Sequence, residues 1–264
     1  MKKFIRKWLV DSHIYTHVKF SAFFKVYQYL FKPEVIQQHN KEVALYKSFL
    51  SSPQLIFDIG AYDGHKTAAF ASFSKKVVSC EPDPENFSLL SIRFRNQKNI
   101  CLYNVALSNH AGTETLFIHH NASAFNTLNP TWKNILENDN LARWDEKITF
   151  LPENKIEVAC ITIDSLIQKH GLPDFIKIDV EGYEKEVIEG LSQGVPCISF
   201  ECLLPDFLPQ LNFILSKLLA FNPSVIFNVI HQELLLFPEF IDYQQMAVWL
   251  KTCKLHSFDL VAKT

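Results

Sequence analysis

A short acidic turn that contains two glycines is the part of this sequence best suited to chemistry. The apolar run 55–59 includes Asp58, and Gly60 and Gly64 follow it in a chain that has only seven glycines. A strand that ends in such a turn and continues as a helix is typical of nucleotide-binding α/β domains. We therefore expect a cofactor at this turn.

A further acid, Glu81, follows the next apolar run, 76–80, and lies 21 positions after Gly60. A carboxylate about 20 residues beyond a glycine turn accepts hydrogen bonds from ribose hydroxyls in such domains. Asp58 and Asp63 place negative charge at the turn, which disfavours a pyrophosphate and suits a cation. S-adenosylmethionine has a ribose, a sulfonium and no phosphate, and it is the cofactor that we expect.

A third acidic pair, Asp179 and Glu181, ends the apolar run 174–179. The carboxyl ends of parallel strands meet at one edge of a sheet, so this pair should lie beside Asp58. Methyl transfer to a hydroxyl needs a group that takes the proton, and Asp179 is our first choice, with Glu181 second. Two alternatives stay open: the pair binds a divalent cation together with Glu201, or it only caps a helix and bonds to backbone.

The elements that must position these acids alternate from residue 55 onward, as in a mostly parallel sheet with helices on both faces. Strands are predicted at 55–59, 76–80, 100–106, 113–118, 156–162, 174–179, 197–202, 225–230 and 256–262, with a hairpin at 226–229 and 234–237. Helices are predicted at 65–73, 84–95, 183–189 and 208–220.

One long insertion, residues 119–155, interrupts this alternation. Long insertions in compact α/β domains are usually lids or binding loops, so we expect this one to cover the acceptor substrate. Its hydrogen-bonding and stacking residues include His119, His120, Asn121, Ser123, Asn126, Thr127, Trp132, Arg143 and Trp144. The two histidines are candidate proton acceptors, although adjacent loop histidines are more often surface residues.

The predicted domains are an N-terminal helical extension, residues 1–53, and a cofactor-binding domain, residues 54–264. Residues 1–50 hold nine Lys or Arg against three Asp or Glu, and their aromatic residues recur at helical spacing. One interpretation is a helical cap that docks through the aromatic residues. The other is a peripheral contact with a membrane or glycolipid through the basic face.

The overall composition points to a globular protein. The 264 residues are 48% hydrophobic and 20% charged, with a net charge of −2, so nothing indicates a nucleic-acid partner. No apolar run reaches the roughly 18 residues of a spanning helix, and no signal peptide is recognisable, so we predict a cytoplasmic location. The six cysteines form no ligand cluster, and the oligomeric state does not follow from the sequence.

Taken together, these motifs resemble the FkbM family of S-adenosylmethionine-dependent methyltransferases. The resemblance covers roughly residues 54–202 and departs from the family pattern at Tyr62, where a small polar residue is usual. The segments that carry it are FDIGAYDGHKT (57–67), CEPDPENF (80–87), NVALS (104–108), ITIDSL (161–166) and FIKIDVEGYE (175–184).

The resemblance implies a class I, Rossmann-like methyltransferase fold with a seven-stranded sheet whose last strand is antiparallel. It implies a methionine site near the glycine turn, a ribose site at Glu81 and an adenine site at Ala106 and Leu107. The predicted cofactor contacts are Asp58, Gly60, Ala61, Tyr62, Gly64, Thr67, Glu81, Pro82, Ala106, Leu107 and Asp179. Family members methylate hydroxyls of sugars, glycolipids or polyketides, so a carbohydrate or glycoconjugate acceptor is expected.

Two other functions compete with this hypothesis. A non-catalytic module would bind an adenosine ligand and dock on a membrane or partner through its basic N-terminal helices. It would keep Asp58 and Glu81 without needing Asp179. A nicotinamide-dependent oxidoreductase is the third hypothesis, and the acids of the glycine turn argue against it.

Overall fold

The computed structural model describes residues 33–120, 123–138 and 148–264. Its helices are α1 (Pro33–Phe49), α2 (His65–Ala71), α3 (Pro84–Phe94), α4 (Pro130–Glu137), α5 (Ile163–His170), α6 (Glu184–Glu189), α7 (Leu208–Phe221) and α8 (Tyr243–Thr252). Its strands are β1 (Leu55–Ile59), β2 (Lys76–Cys80), β3 (Ile100–Tyr103), β4 (Ala106–Leu107), β5 (Gly112–Phe117), β6 (Lys155–Ile161), β7 (Phe175–Ile178), β8 (Cys197–Leu203), β9 (Ile226–His231), β10 (Leu234–Leu235) and β11 (Ser257–Lys263).

The central sheet has the strand order β3–β2–β1–β7–β8–β11–β9–β10. β1, β2, β3, β7 and β8 pair in parallel, whereas the last strand, β11, runs antiparallel to both of its neighbours. The predicted mostly parallel sheet with an antiparallel last strand is confirmed. The predicted number of seven strands is wrong by one, because a tight hairpin adds the two-residue strand β10 at the edge.

The predicted strand 100–106 is two strands that belong to different sheets. β3 is in the central sheet, but β4 pairs with β6 in a second sheet of order β4–β6–β5. Between them the Asn104 side-chain amide donates to the carbonyls of Glu81 (2.8 Å) and Pro82 (3.0 Å). These bonds turn the chain and place β4 beside the end of β2.

Strand residues alternate between two buried cores, which explains the apolar runs of the sequence. Phe57 and Ile176 face a core that also contains residues of α5, α6, α7 and α8. Ile56 and Phe175, of opposite parity, face a core that contains residues of α1 and α2. Because both faces of the sheet are covered, ligands can approach only its edges.

Helix α1 is part of this second core although it lies within the predicted N-terminal extension. Tyr46 is only 2% exposed, and its ring packs against Phe70 (centroids 4.8 Å apart) and Phe175 (5.7 Å). The rest of the predicted extension up to this helix, residues 1–32, lies outside the described residues. Within the described residues, no helix is long and apolar enough to cross a membrane.

Candidate active site

A cleft of about 520 Å³ lies at the carboxyl ends of β1, β2 and β7. We call it the cofactor cleft. Of the predicted site residues, the structure brings eight to its lining: Gly60, Tyr62, Glu81, Pro82, Ala106, Leu107, Asp179 and Glu181. Parallel strands present ligands at this edge, so the spacing of Gly60, Glu81 and Asp179 predicts that they meet. Ala106 and Leu107 were implied by the family resemblance, and they belong to the second sheet.

Gly60 lets the turn after β1 approach the end of β7. Its φ is +81°, and an ideal Cβ on it would lie 1.8 Å from the carbonyl oxygen of Asp179. The amides of Gly60 and Ala61 both donate to the carbonyl of Cys80, at 3.0 Å. No other residue fits here, because a side chain would collide with backbone and strain the turn.

Glu81 is 5% exposed and anchors the turn through its carboxylate. The carboxylate accepts from the amides of Tyr62 (2.8 Å) and Asp83 (3.0 Å). Burial raises the pKa of Glu81 to about 7, although these backbone bonds oppose the rise. Both oxygens are therefore held in place at the wall of the cleft.

The described part of the insertion forms one wall of the cofactor cleft. Ser123, Ala124, Asn126 and Leu128 line it beside Pro82. The Asn126 amide donates to the carboxylate of Asp83 at 2.5 Å. This wall lies at the end of the cleft predicted for the adenosine, and residues 139–147 of the insertion lie outside the described residues. The acceptor lid stays a prediction.

Four predicted cofactor contacts do not line the cleft: Asp58, Ala61, Gly64 and Thr67. Asp58 is 1% exposed, and its carboxylate accepts a 2.5 Å bond from the Thr67 hydroxyl. Burial raises the pKa of Asp58. Gly64 instead serves packing, because a Cβ on it would lie 2.6 Å from Leu90 of α3. These residues therefore lie outside the cleft lining and act on the conformation of the turn.

Asp179, the first choice for the base, is held in a partly buried charge cluster. Its carboxylate accepts from Lys66 Nζ at 2.8 Å and lies 3.4 Å from Lys177 Nζ. Burial alone would raise the pKa of Asp179, but the two ammonium groups outweigh it and hold the pKa well below its ordinary value. Lys177 is fully buried and also bonds to Asp259 at 3.0 Å. Asp179 is consequently a weak proton acceptor.

Glu181, the second choice, is in a different electrostatic environment. Burial, followed by the charge of Asp179, raises the pKa of Glu181 to about 8. Trp132 Nε1 of α4 donates to its carboxylate at 3.2 Å. A carboxyl group whose pKa lies near neutral pH is well matched to general acid–base work.

One carboxylate oxygen from each of Asp179, Glu181 and Glu201 lies within 4.8 Å of the others. This is the trio that the sequence suggested for a divalent cation. Lys66 and Lys177 already supply positive charge at Asp179, and burial raises the pKa of Glu201 well above its ordinary value. The cation prediction is left without support.

The two histidines of the insertion do not line the cleft. Their rings lie 4.5 Å apart, and His119 Nδ1 lies 3.1 Å from the Ser123 hydroxyl. The structure therefore places His119 behind the cleft wall, where it contacts Ser123.

Sequence reasoning missed Asn86 and Tyr183, which line the cleft, and the role of Lys66 and Lys177. Lys177 offered a signal, because a lysine inside an apolar strand must find carboxylate partners when the strand is buried. Lys66 and Asn86 offered none beyond their positions next to the motifs.

Comparison with known proteins places this cleft among methyltransferases. A family model described as the methyltransferase FkbM domain matches residues 58–245. No curated protein matches the chain significantly. Similar solved structures include methyltransferase FkbM from Methylobacillus flagellatus KT, which is 16% identical with a TM-score of 0.50 over 84% of this chain and 47% of that chain.

Two further structures are less similar. Precorrin-6y C5,15-methyltransferase from Geobacter metallireducens GS-15 is 11% identical with a TM-score of 0.42, over 85% of this chain and 86% of that chain. An O-methyltransferase from Bacillus cereus in complex with SAH is 12% identical with a TM-score of 0.41, over 87% and 81%. Of these three, the M. flagellatus structure is the one whose TM-score supports the fold, and this chain spans about half of its length.

Proposed function

The chain belongs to the FkbM methyltransferase family, and from this premise we propose that it methylates a hydroxyl of a sugar, glycolipid or other natural-product acceptor. It is an S-adenosylmethionine-dependent methyltransferase of class I fold. The oxygen acceptor and its chemical class are the proposal. They are supported by the family membership and by Glu181, a carboxyl group in the cleft that could take the proton of a hydroxyl.

The charge of the cofactor cleft carries the fit to S-adenosylmethionine. Glu81, Asp179 and Glu181 line it, and among the described residues no lysine or arginine does. A phosphate-bearing cofactor would find no lysine or arginine in the described lining to pair with, whereas a sulfonium needs no cationic partner and is attracted to carboxylates. Gly60 lets the turn after β1 pack against the Asp179 carbonyl, which brings two parts of the cleft lining together.

We assign the parts of the cofactor to the cleft as follows. Glu81 accepts the ribose hydroxyls, and Pro82, Ala106 and Leu107 contact the adenine. Gly60 and Tyr62 lie at the methionine end. When bound, S-adenosylmethionine supplies a methyl group on a positively charged sulfur. The protein aligns the acceptor with that methyl group and excludes water.

We assign the acceptor proton to Glu181, which reverses our first choice. The lysines that lower the pKa of Asp179 make it a poor base, whereas the pKa of about 8 at Glu181 suits proton transfer near neutral pH. Asp179 is then a positioning residue that neutralises Lys66 and Lys177.

The test compares Glu181→Gln with Asp179→Asn. We expect Glu181→Gln to lower kcat by about 10²-fold or more while S-adenosylhomocysteine still binds, because only proton transfer is lost. Asp179→Asn should lower stability, because buried Lys177 and Lys66 lose a charged partner. Titration calorimetry and single-turnover assays measure the two effects. An unchanged kcat in Glu181→Gln would contradict the assignment.

Three further expectations remain proposals. The protein acts in the cytoplasm without a nucleic-acid partner. The insertion 119–155 closes over the bound molecules, which is supported by its contribution to the cleft wall. A peripheral membrane or glycolipid contact through residues 1–50 is supported only by their basic charge.

A further inference from the structure

The acceptor needs a binding space beside the one that the cofactor occupies. The residues that we assign to the cofactor, among them Gly60, Glu81 and Leu107, all belong to this one cleft. The described insertion residues that line it, such as Ser123 and Asn126, are grouped with Pro82 and Asn86 at its adenosine end. A molecule that meets the sulfonium methyl group must come from the opposite end.

A second hollow, of about 950 Å³, opens on the same edge of the sheet. We call it the edge groove and define it by Glu42 and Tyr46 of α1, His65 and Lys66 of α2, His231 of β9 and Asp259 of β11. β11 is antiparallel to both β8 and β9, so β9 ends, and β11 begins, at the edge where β1 and β7 end.

The edge groove and the cofactor cleft share a wall. Lys66 lines the groove, Asp179 lines the cleft, and their side chains are bonded at 2.8 Å. Asp259 of the groove joins the same cluster through Lys177. The Lys66–Asp179 ion pair therefore has one member in each of the two spaces, at the end of the cleft predicted for methionine. In-line transfer requires the acceptor to approach from such a side.

Polar side chains of both hydrogen-bonding types line the edge groove. Glu42 and Asp259 are acceptors, and the imidazoles of His65 and His231 can donate or accept. His65 is oriented by Asp63, whose carboxylate lies 2.9 Å from Nδ1, and its Nε2 lies 3.7 Å from Glu42. Burial raises the pKa of Glu42. This lining suits hydroxyl groups better than a phosphate or an apolar chain.

The tight hairpin between β9 and β10 forms one side of the edge groove. Gln232 and Glu233, at the hairpin between β9 and β10, have φ values of +50° and +61°. The Gln38 side chain of α1 donates to the Glu233 carboxylate, and this bond connects α1 to the β9–β10 hairpin on the other side of the groove. Positive φ at both central residues is the usual geometry of a two-residue hairpin turn, so the turn fixes where this side of the groove lies.

We infer that the edge groove is the acceptor site and that it takes a neutral, hydroxyl-rich ligand such as a sugar residue of a glycoconjugate. The acceptor then reaches the methyl group past the Lys66–Asp179 pair. This inference rests on the proposed O-methyl transfer. It differs from the insertion hypothesis in placing the acceptor between α1 and the β9–β10 hairpin.

The experiment blocks the edge groove with His231→Trp in the full-length chain. Its matched control is Val248→Trp, which adds the same side chain at a residue of α8 that is 64% exposed and outside the groove lining. The probe is a mixture of methyl glycosides of common hexoses, and mass spectrometry detects the added methyl group. Calorimetry with S-adenosylhomocysteine reports on the cofactor cleft.

We expect His231→Trp to lower glycoside methylation by at least about tenfold while the cofactor affinity changes by less than about twofold, and Val248→Trp to alter neither. Glu42→Gln is isosteric and should raise the KM for the glycoside, even if the tryptophan variant folds poorly. Unchanged methylation in both groove variants would overturn the inference. A full-length chain that binds the cofactor but methylates no glycoside would overturn the ligand class. A chain that does not bind the cofactor would instead overturn the proposed function.

Discussion

At the scale of single residues, Gly60 sets how closely the β1 turn approaches β7. We expect Gly60→Ala to lower the free energy of unfolding by about 1–3 kcal/mol, because φ is +81° and the added Cβ collides with the Asp179 carbonyl. Displacing the Asp179 backbone should also weaken S-adenosylhomocysteine binding by at least about tenfold. Urea unfolding and calorimetry measure the two losses.

Gly171→Ala is the matched control for Gly60→Ala. Gly171 also has a positive φ, +94°, but a Cβ there would meet no atom within 4 Å. The control should lose stability through backbone strain and keep its cofactor affinity. If both variants lost affinity equally, the close approach to Asp179 would not be the cause.

Glu81 should make cofactor affinity depend on pH. The ionised carboxylate accepts hydrogen bonds from both ribose hydroxyls, so affinity should rise as the pH rises through the pKa of about 7. The effect of pH on folding stability is in the opposite direction. Because the pKa of Glu81 in the folded chain is raised above its ordinary 4.5, its ionisation lowers the free energy of unfolding increasingly as the pH rises from 4.5 to about 7. Calorimetry with S-adenosylhomocysteine across this range checks the affinity. Glu81→Gln should bind weakly with a flat pH profile, and an unchanged slope would assign the titration to another group.

At the scale of elements, the segment before α4 ties the insertion to the loop after β7. Thr127 donates to the carbonyl of Glu181 at 2.7 Å, and Asn129 donates to that of Gly182 at 2.5 Å. Thr127 is fully buried. We expect Thr127→Val to lower the free energy of unfolding by about 1–3 kcal/mol, because the Glu181 carbonyl and the Asn129 amide both lose their partner in the buried Thr127 hydroxyl.

Loss of the Thr127–Glu181 hydrogen bond should also slow methyl transfer, because this bond holds the backbone that positions the Glu181 side chain. Exposed Thr131, on the first turn of α4, supplies the control Thr131→Val, which should change neither quantity. Chemical denaturation and turnover measure both variants. Equal stability of Thr127→Val and the unaltered chain would show that this hydrogen bond does not stabilise the loop.

At the scale of the whole molecule, the cofactor cleft joins parts of the chain from Gly60 to Tyr183 that are distant in sequence. Binding should therefore stabilise the domain as one unit. We expect a single calorimetric unfolding transition that moves to higher temperature with S-adenosylhomocysteine, by a free energy of about 2.7 kcal/mol at a ligand concentration of 100 times Kd. A second transition whose midpoint temperature does not change with the ligand would contradict the predicted single domain, residues 54–264.

The sequence by itself determined which strands carry the chemistry and where each strand ends. Gly60, Glu81 and Asp179 could be found because a strand end and a glycine turn are local features, and parallel strands align their ends at one edge. Helices α4, α5 and α8 were not predicted. α4 lies inside the long insertion, and the apolar residues of the other two pack against elements distant in the chain.

Only the tertiary structure decided which way each acidic side chain points and what neutralises it. Asp58 turns to Thr67 behind the cleft, Asp179 is paired with Lys66, and Glu181 is left with a raised pKa. The edge groove likewise exists only where α1 meets the end of β9. Burial and charge pairing arise from contacts between residues far apart in the chain, and the local spacing of residue types carries no record of them.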